Sequence, residues 1–150
     1  MWRCPTCGQT FTGRNMPHSC QTVPLDRHFE GREAMRPVFD ALVAAARENG
    51  PVTINATKSR ITLQAEMRFA AVETRRARLK AHVVLGRRIQ SPRFTTVEHL
   101  PPAYYVHRFE LERPEDVDDE VRAWLAEAYF RRSRAPAAPP APDPPRPGSR

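Results

Sequence analysis

Between residues 33 and 131 the spacing of apolar side chains changes twice, and that switch confines the chain to a helix–sheet–helix layout. Met35, Val38, Phe39, Leu42, Val43 and Ala46 recur at the spacing of a single helical face. Pro37 is tolerated only near a helix start and Gly50-Pro51 ends one, so a helix is expected over residues 33–49. The repeat then shortens to two. Alternating apolar and polar residues predict strands at 60–65, 78–85 and 104–111, with 68–73 between them and a short first strand at 52–54. The last of these places Tyr105, His107, Phe109 and Leu111 on one face. The helical spacing returns in Val117, Val121, Trp124, Leu125, Ala128 and Tyr129. Pro114 suits the first position of that helix, and Glu115 and Asp116 suit the positive end of its dipole. The expected fold is α+β: a two-layer sandwich of a four- to five-stranded antiparallel meander with two helices on one face, in the order α-β-β-β-β-β-α.

This domain spans residues 26–131. Residues 1–25 hold all three cysteines and little that builds a core. Residues 132–150, RSRAPAAPPAPDPPRPGSR, hold seven of the sixteen prolines and no large apolar residue. Such a tail buries too little surface to offset chain entropy and is expected to be disordered with polyproline-II character. No run approaches the ~20 apolar residues of a membrane span. The start, Met1-Trp2-Arg3-Cys4-Pro5, lacks the apolar core of a secretory signal, so a cytoplasmic location is expected.

Cys4-Pro5-Thr6-Cys7-Gly8 is the sharpest local motif. Two cysteines separated by two residues reach one metal ion from a tight turn, and Gly8 permits the left-handed backbone that aims amides at the sulfurs. His18-Ser19-Cys20 follows ten residues later. Cys4, Cys7, His18 and Cys20 make a closed three-sulfur, one-nitrogen set suited to a structural Zn²⁺, with His28 as a reserve ligand. Folding of this zinc-knuckle-like segment would be inseparable from metal binding. Trp2 and Phe11 are the apolar plates expected to pack it on the domain.

The formal net charge is +7. It concentrates in residues 58–93, where ten basic residues face only Glu66 and Glu73. With Ile61, Leu63, Leu79, Ala81 and Val83 turned to the helices, Arg60, Thr62, Gln64, Arg78, Lys80 and His82 share the opposite sheet face. A basic open sheet can track a phosphate backbone, so the expected partner is anionic, with DNA or RNA the first candidate. The expected contacts are Lys58, Arg60, Arg68, Arg78, Lys80, Arg87, Arg88, Arg93 and His107. Against this stands a solvated, arginine-rich face, and the strands lack the aromatic residues of a base-stacking platform.

No Gly-rich phosphate loop, G-x-S-x-G elbow or H-E-x-x-H is present, and no carboxylate pair stands out. A non-enzymatic module is therefore the first reading. The second is a binder of, or enzyme for, a phosphorylated or carboxylated small molecule, with a pocket around Lys58, Arg60, Arg68 and His107. A concave pocket holding a perturbed histidine would favour it over the flat basic sheet. The third is an adaptor acting through the Pro-rich tail.

The ordered motifs C-P-x-C-G…H-S-C, Asn49-Gly50-Pro51-Val52, Lys58-Ser59-Arg60-Ile61, Arg68-Phe69-Ala70-Ala71-Val72, Pro92-Arg93-Phe94, Val106-His107-Arg108-Phe109 and Asp118-Asp119-Glu120-Val121 with Ala128-Tyr129 are distinctive together. Over residues 1–131 the chain resembles a small bacterial family, the domain of unknown function numbered 5655. The resemblance implies a compact α+β domain and brings no assigned reaction. It marks Lys58, Arg60, Arg68, Arg93 and His107 as residues to test together.

Overall fold

The computed structural model describes residues 2–5, 10–11, 13–14, 22–65 and 67–133. Near the start, β1 (Trp2–Arg3) pairs antiparallel with β2 (Thr10–Phe11), Trp2 opposite Phe11. Two 3-10 turns, Leu25–Phe29 and Glu33–Met35, lead into α1 (Arg36–Arg47). Pro37 sits in the first turn of α1, where its missing N–H has no intrahelical partner to lose. Val38, Phe39, Leu42, Val43, Ala45 and Ala46 are its buried face.

Six strands follow: β3 (Thr53–Ala56), β4 (Ile61–Gln64), β5 (Arg68–Thr74), β6 (Leu79–Leu85), β7 (Thr96–Leu100) and β8 (Tyr104–Leu111). All pair antiparallel, in the spatial order β3-β4-β5-β6-β8-β7. The expected meander holds through β6. It then departs from four or five strands, because β7 forms an extra edge strand and β8 returns between β6 and β7. β7 lacks the apolar alternation of a half-buried strand, since all its residues but Val97 are exposed. A turn with a cis Pro101-Pro102 bond joins it to β8.

The second helix also begins later than expected. Pro114–Asp116 forms a separate 3-10 turn, because the Asp116 carboxylate accepts the backbone N–H groups of Glu112 (2.8 Å) and Arg113 (3.0 Å) and closes the chain on itself. Helix α2 is Asp119–Ser133, capped by Asp118, whose Oδ1 accepts the Val121 N–H at 3.1 Å.

The two helices share one apolar core with the strands. Ile61, Leu63, Phe69, Leu79, Val83, Leu85, Phe109 and Leu111 meet Phe39 and Leu42 of α1 and Val121, Leu125 and Ala128 of α2. Helix α2 lies on β5 and β6, and α1 packs against α2. Alternation of side chains leaves the second face of the same sheet away from this core. The disordered tail expected over 132–150 lies, from residue 134 onward, outside the described residues.

Candidate anion-binding groove

The second sheet face is concave. Its residues fall in transverse rows fixed by strand register. One row runs Thr62–Ala71–His82–Arg108–Thr96 across β4, β5, β6, β8 and β7. The next holds Val84, Val106 and Glu98. Small side chains at the centre (Ala71, Val84, Val106) lie among long ones (Arg60, Arg68, Tyr104, Arg108), so the surface sinks in the middle. The result is a groove of ≈ 730 Å³, closed along one side by Glu98 and Leu100 of β7 and by Pro101-Pro102.

A register shift helps build it. Leu63 pairs with Ala70, but Gln64 pairs with Arg68, so β5 carries one extra residue at this point. Strict alternation would put Phe69 and Ala71 on the same face. The bulge sends Phe69 into the core, fully buried, and brings Arg68 to the groove. Arg60 enters from the other end of β4, so the two guanidinium-bearing arms stand at opposite ends of that strand.

The electrostatics are cationic. Arg108 donates to Glu98 at 2.9 Å and to Thr96 Oγ1 at 3.4 Å. Among the described residues, Arg60 has no carboxylate partner. His82 lies among these groups, and its pKa is pushed down to about 4. Burial is the first cause, followed by repulsion from Arg60 and Arg108, with a smaller push from Arg68 and an opposing pull from Glu73. The groove thus presents a neutral imidazole at neutral pH beside three arginines, one of them paired with Glu98.

A family model described as Domain of unknown function (DUF5655) matches residues 25–130. The chain belongs to the DUF5655 family. No curated protein matches the chain, and no solved structure does either. The match covers every strand from β3 to β8 and both helices except the end of α2, so the groove is wholly a feature of the DUF5655 domain.

Of the residues expected to bind an anion, the domain gathers only Arg60 and Arg68 in the groove. Lys58, two residues from Arg60, lines a different depression with Arg27, His28 and Arg32. Arg78 pairs with Glu110 (3.0 Å) and Arg87 with Glu127 (2.9 Å). Lys80 is exposed one row away, between Glu73 and Glu110. Arg88 lies over the Tyr105 ring. Arg93 serves α2: it donates to both Asp118 oxygens at 2.9 Å and to Glu120 at 3.2 Å, and covers Trp124.

His107 is on the core face, not in the groove, and is fully buried. Its Nε2 accepts the Ile89 N–H at 3.1 Å and its Nδ1 lies 3.2 Å from Tyr105 O, so the proton sits on Nδ1. Burial, chiefly, lowers its pKa and keeps it neutral, as a packing residue against Phe94. The reason is parity: on β8 the odd-numbered residues face the helices and the even-numbered ones, Tyr104, Val106 and Arg108, face the groove. Arg108, His82 and Tyr104 were absent from the expected contact set. His82 was legible as sharing a face with Arg60, but the edge strand β7, whose Glu98 and Leu100 wall the groove, has no signature in the sequence.

Three of the four expected zinc ligands, Cys7, His18 and Cys20, lie outside the described residues. Cys4 is described and buried, 4% exposed, at the end of β1. Among the described residues no group of three or more metal-ligating side chains comes together.

Proposed function

We propose that this DUF5655 domain binds a small anionic molecule with an apolar body, a carboxylate or phosphate ester, in the groove between Arg60, Arg68 and Arg108. The supporting observation is the groove itself. Its ≈ 730 Å³ falls within the range of small-molecule sites, and it combines an apolar floor with a few convergent charged groups. Arg60 and Arg68, at opposite ends of β4, offer forked donors to anionic groups, while Ala71, Val84 and Val106 receive the apolar part. His82, neutral before binding, gives the ligand a second polar contact and senses its charge.

An extended nucleic-acid track is less well supported. Its expected contacts are dispersed: Arg78, Arg87 and Arg93 already hold carboxylates, and His107 is in the core. The experiment compares the two. Thermal unfolding of the full chain is measured with a panel of aromatic and aliphatic carboxylates and phosphate esters, and with random-sequence single-stranded DNA and RNA. A small molecule at ~100 times its Kd adds about 2.7 kcal/mol of stability. That gain should vanish in Arg60→Gln and Arg68→Gln. Steeply salt-dependent binding of the oligonucleotides alone, with no response to any small anion, would assign the face to nucleic acid instead.

The N-terminal segment we read as a structural zinc clasp made by Cys4, Cys7, His18 and Cys20. The antiparallel pairing of β1 with β2 supports this, because the C-P-T-C-G motif lies between the two strands in sequence and Cys4 is buried. Such an ion would hold the segment together and leave the groove chemistry to the domain.

A further inference from the structure

A second depression, of ≈ 610 Å³, is lined by Thr22, Val23, Arg27, His28, Arg32 and Lys58. Backbone pairing builds it. Thr22 bridges to Thr57, and the Val23 N–H donates to Ala56 O at 2.9 Å, so residues 22–23 run along the end of β3. The 3-10 turn Leu25–Phe29 then presents Arg27 and His28, and Arg32 follows it. The Thr57 N–H and hydroxyl both donate to Arg60 O, closing the turn that carries Lys58 to the same place.

The local charge is uncompensated among the described residues. Among the described residues, Arg27, Arg32 and Lys58 form no ion pair. The neighbouring acids are turned elsewhere: Asp26 holds Arg36 at 2.8 Å and Glu33 accepts the Gly31 N–H at 3.0 Å. Glu30 is exposed and does not line the depression. Three cations converging without an acid raise the local potential and favour an anion between them.

His28 gives the site chemical character. It is 8% exposed, and its Nε2 lies 2.6 Å from Thr57 O, so Nε2 carries a proton and donates it. Nδ1 makes no hydrogen bond among the described residues. A group that fits offers several oxygens to the guanidinium and ammonium donors and, with Nε2 committed to Thr57 O, an O–H that Nδ1 can accept. Phosphate does both near neutral pH, where its second ionisation lies, whereas sulfate has no proton to share. We propose that Arg27, Arg32, Lys58 and His28 form a phosphate-binding site separate from the groove.

The test follows the ring resonances of His28 by NMR in the full chain at constant ionic strength. Inorganic phosphate and methyl phosphate are titrated to ~20 mM, with sulfate as the comparison. The expected result is a saturable shift of the His28 ring. Its midpoint should rise at least tenfold in Arg32→Gln/Lys58→Gln, since each charge-assisted hydrogen bond contributes at least about tenfold, and stay unchanged in the exposed-turn variant Arg76→Gln. Tighter binding of methyl phosphate marks a phosphorylated molecule as the natural occupant; tighter binding of the free ion marks inorganic phosphate. A shift that stays linear in concentration, an unchanged midpoint in the double variant, or equal binding of sulfate would overturn the proposal.

Discussion

His82 and Arg108 stand directly opposite each other on β6 and β8, in a row that crosses the groove. The imidazole is half-buried among three guanidinium groups, and its pKa of about 4 records that environment. The pair explains how a histidine stays uncharged beside arginines.

This arrangement makes stability pH-dependent in a defined direction. The folded pKa lies below the ~6.5 of an unfolded histidine, so the unfolded chain binds more protons in the window between the two. The His82 contribution is complete above pH ~6.5 and is lost as pH falls toward 4, by at most about 3 kcal/mol. Urea unfolding at pH 7, 5.5 and 4.5 should show a smaller acid loss in His82→Gln than in the wild type. Parallel curves would show that the imidazole is not held neutral.

A ligand anion in the groove reverses part of the repulsion and raises the His82 pKa. Binding should therefore take up a fraction of a proton below pH ~6.5, and affinity should increase as pH falls from 7 to 5. Calorimetry in two buffers of different ionisation enthalpy reads that uptake, which His82→Gln should abolish.

Arg93, Asp118 and Glu120 tie the 91–95 loop to the start of α2. The Arg93 side chain is 26% exposed, so this pair is less screened than an ordinary surface bridge. Asp118 also caps the helix, so Asp118→Ala should cost about 1–2 kcal/mol. A double-mutant cycle with Arg93→Ala, followed by urea unfolding, should give a coupling of about 1 kcal/mol. The Asp118 pKa is lowered despite the opposing effect of burial, by the Val121 N–H and by Arg93. The coupling should accordingly be present at pH 7 and disappear as pH drops through that depressed value.

Gly50, just past the end of α1, packs closely against Tyr129 of α2. Gly50 has φ +145°, and a Cβ there would stand 3.1 Å from Tyr129 Cζ and nearer still to the hydroxyl oxygen, which donates to Pro51 O at 3.0 Å. Gly50→Ala should destabilise by at least ~2 kcal/mol, from backbone strain and the clash together. Tyr129→Phe, which removes only the hydrogen bond, should cost about 1 kcal/mol. Chemical denaturation of both variants checks the ranking.

For the N-terminal clasp, the full chain purified without added metal should carry close to one zinc per molecule by elemental analysis. Cys4→Ser/Cys7→Ser should carry none. Binding in the groove should persist in that variant, because the groove is built within residues 25–130.

Apolar periodicity is a good guide where a face is buried, which is why both helices and the strands at 61–64, 68–74, 79–85 and 104–111 were legible. It is silent where burial does not choose the residues. Thr96–Leu100 is an exposed edge strand held by backbone pairing to β8, so its side chains carry no alternation. The extra residue in β5 likewise leaves no mark beyond Arg68 and Phe69 standing side by side. Charge counting located the basic region in residues 58–93 but not its partners. Glu110, Glu127 and Asp118 reach Arg78, Arg87 and Arg93 from 25 to 40 positions away. Positions that far apart become neighbours only once the sheet is assembled.

β7 is at once the outer wall of the groove and the open border of the sheet. Among the described residues no further strand pairs with its outward edge, which is the border an incoming extended chain would meet. A ligand in the groove would touch Glu98 and Leu100 of the same strand that an edge-docked chain would pair with, and any effect of one on the affinity of the other would be matched by an equal effect in return.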